Sequence, residues 1–190
     1  MLTSTYENAR HSPASDSPPV GEALRSAMRL FPTGVALLTA GEGAQATAMT
    51  INALMSVSLT PPQVLVSVLH TARLHPVLEH TGTFAVHLLA GDQAATAELF
   101  SSSEKPSGPA LRPFLTAHVL PRVLTSLSCV VQAVYPGGDH SLFLGHVEKV
   151  KTEAGAAERQ PLIFHRGVLR EAGGVGPAGT ATGGMTNPAR

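Results

Sequence analysis

The segment TAMTINALMSVSLTPPQVLVSV, residues 47–68, carries hydroxyl and amide side chains but no strong acid, strong base or metal ligand. Thr50, Asn52, Ser56 and Ser58 fall where a predicted strand gives way to a polar corner, before two prolines and a second strand. Free backbone groups at such a corner, together with these side chains, can pair with the edge of an uncharged heteroaromatic ring. A strand end that satisfies its own backbone would contain the same residues. Both interpretations stay open.

Two further segments could bind other parts of a ligand. In HTARLHP, residues 70–76, a turn leads into a predicted helix, and free N–H groups at a helix start favour an anion. Thr71 adds a hydroxyl and Arg73 a guanidinium that suits phosphate, although a plain cap with a solvated arginine fits equally well. In GGDH, the glycines permit close backbone approach by a ligand and His140 stands at the rim. A plain hairpin turn would explain the glycines but not His140.

Metal and nucleophile chemistry are not indicated. His70, His75 and His80 are five residues apart, which on a helix turns successive rings about 140° away from each other. No GxSxG motif is present, and Cys129 lies within an apolar strand, where cysteine is usually inert packing. We therefore expect no metal site and no hydrolase or acyl-transfer chemistry.

The composition excludes several partners. The net charge is zero and no basic patch stands out, so a nucleic-acid partner is not expected. No apolar run reaches the roughly 18 residues of a membrane span, and no signal-peptide core is present. Cys129 is the single cysteine, which fits a reducing, cytoplasmic location.

Hydrophobic periodicity predicts short helices. Leu24, Ala27, Met28 and Phe31 form a helical stripe that Pro32 ends. A second short helix is predicted within HPVLEHTG, and a third within QAATAELF with Asp92 as its N-cap.

Strand patterns dominate the rest of the chain. They are predicted at residues 35–40, 47–52, 63–69 and 83–89 and within VLTSLSCVVQAVY, HSLFLGHVEKVK and PLIFHRGVL. The strands do not alternate with helices, and neither GxGxxG nor GxxxxGK[ST] occurs, so we predict an antiparallel barrel. The folded domain is expected at residues 21–172, between disordered tails at 1–20 and 173–190 that are rich in small residues, Gly and Pro.

Several motifs in order resemble one known family. These are AMRLFPTGVALLTA, MTINALMSVSLTPPQVLVSV, FAVHLLA, AELF, GGDHSLFLGHV and PLIFHRG, spanning residues 27–167. Together they resemble the short-chain flavin reductases, the FMN-binding split-barrel reductases that supply reduced flavin to two-component monooxygenases. The resemblance implies a mainly β, antiparallel Greek-key split β-barrel with short helices, which forms a homodimer and holds flavin in a cleft near the dimer interface.

The resemblance also implies site residues. The flavin ring would be lined, largely by backbone atoms, by Thr50, Ile51, Asn52, Ala53, Leu54, Ser56 and Val57, with Ser67, Val68 and Leu69 continuing that wall. Arg73 and Leu74 would lie near the flavin phosphates, and Phe100 would close against the cofactor. Gly137, Gly138, Asp139 and His140 match the segment that faces the nicotinamide nucleotide in the family.

Some residues depart from the family's pattern. His87 replaces the usual Asn of FAVN, Ala53 and Leu54 replace Ser-Phe, Thr60 replaces an Asp, and Val168 replaces an aromatic residue. Nothing in the motifs separates FAD from FMN, while the lack of basic clustering near GGDH favours NADH over NADPH.

The function implied is an NAD(P)H:flavin oxidoreductase that reduces exchangeable FAD or FMN and passes it to a flavin-dependent monooxygenase component. His140 would hold the nicotinamide or steady charge on the reduced flavin. Two alternatives stay open: a split-barrel flavoprotein that retains its flavin and acts on an organic substrate, and a non-catalytic flavin-binding module.

Overall fold

The structure is a computed structural model that describes residues 19–114 and 120–173. The two predicted disordered tails lie outside the described residues, apart from Pro19, Val20 and Gly173. The three described helices are α1 (Val20–Met28), α2 (Leu74–Thr81) and α3 (Ala94–Ser101). The ten described strands are β1 (Thr33–Gly34), β2 (Ala36–Ala40), β3 (Thr47–Ile51), β4 (Leu54–Leu59), β5 (Pro62–Leu69), β6 (Thr83–Leu88), β7 (Thr125–Gly137), β8 (His140–Thr152), β9 (Leu162–His165) and β10 (Val168–Glu171).

The strands form two antiparallel sheets, which confirms the predicted mainly β, antiparallel class. The larger sheet has the order β3-β2-β6-β7-β8-β5-β4, and the smaller has the order β1-β9-β10. Strands β3 and β4 lie at opposite edges of the larger sheet, yet only Asn52 and Ala53 separate them along the chain. The two edges therefore meet at this connection, although no β3–β4 ladder closes the sheet within the described residues.

Two hydrophobic cores support the sheet. In β5, Val64, Val66 and Val68 alternate with partly exposed residues and pack into the first core, which also holds Leu74 and Leu78 of α2. The second core lies between β2, β3, α3 and β9, and Phe100 is its largest fully buried side chain. These cores fix β5 and α3, the elements that flank the β3–β4 connection.

Helix α1 forms as predicted, but its apolar stripe stays exposed in the part of the chain that the structure describes. None of its residues is buried, and Leu24, Met28 and the following Phe31 are 60%, 53% and 62% exposed. An amphipathic helix gains most of its stability by burying such a stripe. The stripe is therefore available for another surface.

The predicted N-cap role of Asp92 is wrong. Asp92 lies inside a short 3₁₀ turn (Gly91–Gln93), and Gln93 precedes α3 instead. In that turn the Asp92 carboxylate faces two guanidinium groups, with Oδ1 at 2.8 Å from Arg159 Nη2 and Oδ2 paired with Arg122. The charge pairing, which joins distant parts of the chain, has replaced the local cap.

Two other local predictions need correction. The polar corner after residue 52 is mostly strand β4, which pairs with β5 from Leu54 to Leu59 with one irregularity. The segment PLIFHRGVL forms two strands, β9 and β10, because Arg166 and Gly167 adopt positive φ angles of 53° and 83° and make a tight hairpin turn. No helix among the described residues is long and apolar enough to cross a membrane.

Candidate functional site

The β3–β4 corner, residues 50–57, uses part of its polar groups for its own structure. Thr50 Oγ1 donates to the carbonyl of Ala97 in α3 at 2.7 Å, and the Ala53 carbonyl accepts from Ser67 N–H at 3.2 Å. Asn52 is exposed, and its Nδ2 donates to Thr33 Oγ1 at 3.2 Å. These bonds hold the corner between α3 and β5, so the backbone beside it has a defined shape.

Strand β4 leaves one row of backbone groups free along the corner. Within the described residues it is the last strand of the larger sheet and pairs only with β5, so the N–H and C=O groups on its other side have no strand partner there. Ser56 and Val57 are exposed there, and Leu54 is half-buried. Ser58, by contrast, accepts from Thr60 N–H at 3.2 Å, which is the self-satisfied strand end of the alternative interpretation.

Two clefts flank the corner. One of about 350 Å³ is lined by Phe31, Ile51, Asn52, Leu54 and neighbouring residues of β1, β2 and β9. The other, of about 170 Å³, lies between the end of β3, α3 and β10 and is also lined by Ile51 and Asn52. Apolar walls with a few polar groups at the rim are typical of sites for planar organic ligands.

The turn before α2 carries positive charge next to a third cleft. Arg73 is exposed, its Nη2 donates to the Ser103 carbonyl, and it lines a cleft of about 360 Å³ together with His80 and Ser107. Burial, followed by the nearby Arg73 charge, lowers the pKa of Lys105. Among residues 19–114 and 120–173, neither cation forms an ion pair. Two neighbouring cations without a carboxylate favour an anion.

The GGDH segment forms the hairpin turn between β7 and β8, and its residues hold each other in place. Gly138 has φ +73°, a conformation that favours glycine. Asp139 Oδ1 lies 2.6 Å from His140 Nδ1, and this hydrogen bond is the largest cause that lowers the pKa of Asp139. His70 N–H donates to the Asp139 carbonyl at 3.0 Å, which attaches the hairpin to the end of β5.

Strand β5 brings the three candidate segments together. Val66 pairs with Leu54 of the corner, Leu69 pairs with His140 of the hairpin, and His70 begins the turn that leads to Arg73. Because a strand rises about 3.3 Å per residue, the corner and the hairpin lie roughly 10 Å apart along β5. Ser67 and Leu69 are half-buried along this stretch.

Several other predicted site residues have buried side chains. Val68 and Leu74 are buried in the first core, so only their backbone atoms can contact a ligand, whereas Ile51, which is also buried there, lines both clefts at the corner. Phe100 is fully buried, and its ring centroid lies 5.4 Å from that of Phe114 in an edge-on contact. It therefore does not face an open cleft here, although Ala97, one turn earlier, lines the smaller cleft.

Sequence patterns did not reveal two residues that lie next to the candidate site residues. Thr33 holds Asn52, and Lys105 shares its surroundings with Arg73. Both lie about 20 residues or more from their partners, so no local spacing could have revealed them. No cluster of three or more His, Cys, Asp or Glu that could hold a metal occurs in the part of the chain that the structure describes.

Comparison with known proteins identifies the family. Residues 28–173 match the family model described as the flavin reductase like domain. The chain is 41% identical over 150 residues to the NADH-dependent FMN reductase of Streptomyces nodosus subsp. asukaensis, covering 75% of this chain and 80% of that protein. It is 39% identical to the reductase component of 4-hydroxyphenylacetate 3-monooxygenase from Thermus thermophilus, covering 78% and 95%.

A solved structure gives the same result. The NADH:FAD oxidoreductase of Streptomyces globisporus, in complex with NAD and FAD fragments, superposes with a TM-score of 0.74 at 30% identity, covering 86% of this chain and all of that one. Sequence and fold agree over the segment that contains all three candidate regions. The chain belongs to the flavin reductase like domain family.

Proposed function

We propose that this protein is an NADH-dependent flavin reductase that reduces free FAD or FMN and passes the reduced flavin to a monooxygenase component. The observation that carries the proposal is the placement of the corner, the Arg73 turn and the GGDH hairpin along one strand, β5. A neutral site, a histidine-bearing turn and a cationic site follow one another along β5, and they suit a flavin ring, a nicotinamide and the flavin phosphate. The names of the relatives above include both FMN and FAD, so the proposal covers either flavin.

The residues at the corner fit an uncharged ring. Its walls are mainly apolar side chains and backbone, its polar groups include Thr50, Asn52 and the free edge of β4, and no charged side chain among the described residues lines either cleft. Contacts from residues 50–57 and 67–69 would therefore be made mainly by backbone atoms. Arg73, with Lys105 close by, would bind the flavin phosphate, and the backbone at Leu74 would contribute N–H groups from the start of α2.

The hairpin would position the nicotinamide nucleotide. The chemistry supplied by the bound molecules is hydride transfer from the nicotinamide to the flavin, and the protein supplies binding and orientation. Gly137 and Gly138 allow close backbone approach, and His140, oriented by Asp139, would contact the nicotinamide or the reduced flavin. The β4 edge and the shallow clefts leave the flavin free to exchange, as a diffusible product requires.

The proposed assembly is a homodimer of split barrels. The exposed stripe of α1 supports it. The apolar side chains of Leu24, Met28 and Phe31 face water, and packing on a second copy would remove their surface from water. Phe31 also lines the larger cleft at the corner, so a partner packed on α1 would adjoin the ligand site.

The decisive experiment follows NADH consumption by the purified protein with and without added FAD or FMN. Oxidation that requires added flavin and saturates with it is the expected result. Turnover without added flavin by a yellow protein would instead support a flavoprotein that retains its flavin. No oxidation of NADH or NADPH with either flavin would leave only the flavin-binding module.

A further inference from the structure

His75 makes two contacts with residues that hold the GGDH hairpin in place. Its Nε2 lies 2.8 Å from Ser141 Oγ, and both side chains are buried. Ser141 directly follows His140 in β8, so the bond ties α2 to the strand at the point where the hairpin ends. Because the contact is buried, no solvent molecule competes easily for either atom.

The second contact runs through His70. The rings of His70 and His75 meet edge-on with centroids 5.2 Å apart, and His70 N–H donates to the Asp139 carbonyl at 3.0 Å. Asp139 in turn holds His140 Nδ1 at 2.6 Å. His75 therefore adjoins both neighbours of His140 along the chain, one directly and one through His70.

The His75 ring is itself held from several sides. Glu79 Oε2 lies 3.5 Å from its Nδ1, and the Phe143 ring packs edge-on at a centroid distance of 5.4 Å. Nε2 shares its hydrogen bond with the Ser141 hydroxyl, and Glu79 approaches the ring from the Nδ1 side. The order Glu79, His75, Ser141 thus gives each ring nitrogen a defined partner.

We propose that His75, acting through the Ser141 hydroxyl, is a positioning residue for His140. His75 is buried beneath the hairpin and is not among the residues that line the clefts at the corner, so it would act by restricting where His140 stands. The proposal rests on the proposed function to the extent that His140 contacts the nicotinamide. Loss of the bond should weaken NADH binding more than flavin binding, because Ser141 directly follows His140, whereas the β3–β4 corner pairs with the other side of β5.

A matched pair of variants tests the hydroxyl separately from side-chain volume. Ser141→Thr keeps the hydroxyl, and Ser141→Val introduces a side chain of nearly the same shape as threonine but without the hydroxyl. We expect Ser141→Val to raise the KM for NADH about tenfold and to raise the KM for flavin much less, and Ser141→Thr to retain a KM for NADH near that of the parent protein. If Ser141→Val fails to fold by circular dichroism, Ser141→Ala replaces it.

Two further measurements separate positioning from general damage. In a His140→Ala background, Ser141→Val should add no further increase in the KM for NADH, because there is no His140 left to position. NMR of the histidine rings, with the His140 signal assigned by its loss in His140→Ala, should show that signal shifted or broadened in Ser141→Val and not in Ser141→Thr.

The outcomes distinguish this inference from the proposed function. Absence of flavin-dependent NADH oxidation by the parent protein would refute the function, while the NMR comparison would still decide whether His75 and Ser141 position His140. An active enzyme in which the valine and threonine variants have the same KM for NADH and the same His140 signal would overturn the inference. Equal effects of Ser141→Val with and without His140 would also overturn it.

Discussion

His87 and Ser126 form a buried hydrogen bond across the centre of the larger sheet, with His87 Nδ1 2.9 Å from Ser126 Oγ. The other ring nitrogen, Nε2, lies 3.2 Å from Thr39 Oγ1, and the ring has no exposed surface. Strands β2, β6 and β7 therefore surround a neutral imidazole at the position where the family usually has asparagine. Burial lowers the pKa of His87 from 6.5 to about 4.

This burial predicts a loss of stability at acid pH. Well above pH 6.5 the ring is neutral in both states, but as the pH falls through 6.5 towards 4 mainly the unfolded chain binds a proton, so the free energy of unfolding decreases. Between about pH 7 and about pH 5 the loss attributable to His87 is about 2 kcal/mol. Urea unfolding at the two pH values should show this loss, and a His87→Asn variant should lack most of it. The same pH dependence in both proteins would contradict the assignment.

The close packing around Gly145 predicts that the first core cannot accept a larger residue at this position. A Cβ added to it would overlap the Phe84 ring and lie 3.2 Å from Cys129 Cβ, and both neighbours are buried. Gly145→Ala should lower the free energy of unfolding by about 1–3 kcal/mol. The control is Gly34→Ala, because an added Cβ there meets nothing within 4 Å. Phe84→Leu should partly restore the stability of Gly145→Ala, and an additive loss in the double variant would argue against the overlap.

The exposed stripe of α1 predicts how the protein assembles. Phe31→Glu combined with Leu24→Glu should convert a dimer to a monomer in sedimentation experiments, because two charges would have to be buried at the interface. The circular dichroism spectrum should change little, since neither side chain is buried within its own chain. Val150→Glu is the matched control, as Val150 is 61% exposed but lies on β8. A dimer that persists in the double variant would place the interface elsewhere.

The proposed contact of Arg73 with phosphate predicts that the site distinguishes phosphorylated flavins from riboflavin. Arg73→Gln should raise the KM for FMN about tenfold, the effect of losing one hydrogen bond to a charged group, and should leave the KM for riboflavin unchanged. Arg112→Gln removes a positive charge from another exposed arginine and serves as the control. Equal changes for FMN and riboflavin would show that Arg73 does not contact the phosphate.

Much of the secondary structure and the order of the candidate segments could be predicted from the sequence. Strand-like runs identified β5 and β8, alternating apolar residues identified β7, and the stripe in GEALRSAMRLF identified α1. These features depend on hydrophobic periods of about two or 3.6 residues and on local turn preferences. Both are determined by residues that are close together along the chain. Family membership follows from the same local motifs taken in order.

Other features depended on contacts between distant residues. The pairing of β5 with both β4 and β8 decides that the corner and the hairpin adjoin, and the Asp92 carboxylate met two arginines instead of capping α3. Burial of Phe100 and the bond between His75 and Ser141 likewise required the packed cores. The sequence by itself determined the family and the order of the segments in which the ligand sites are predicted. Only the tertiary structure decided which side chains reach a cleft, because strand pairing and core packing join residues whose spacing along the chain carries no local signal.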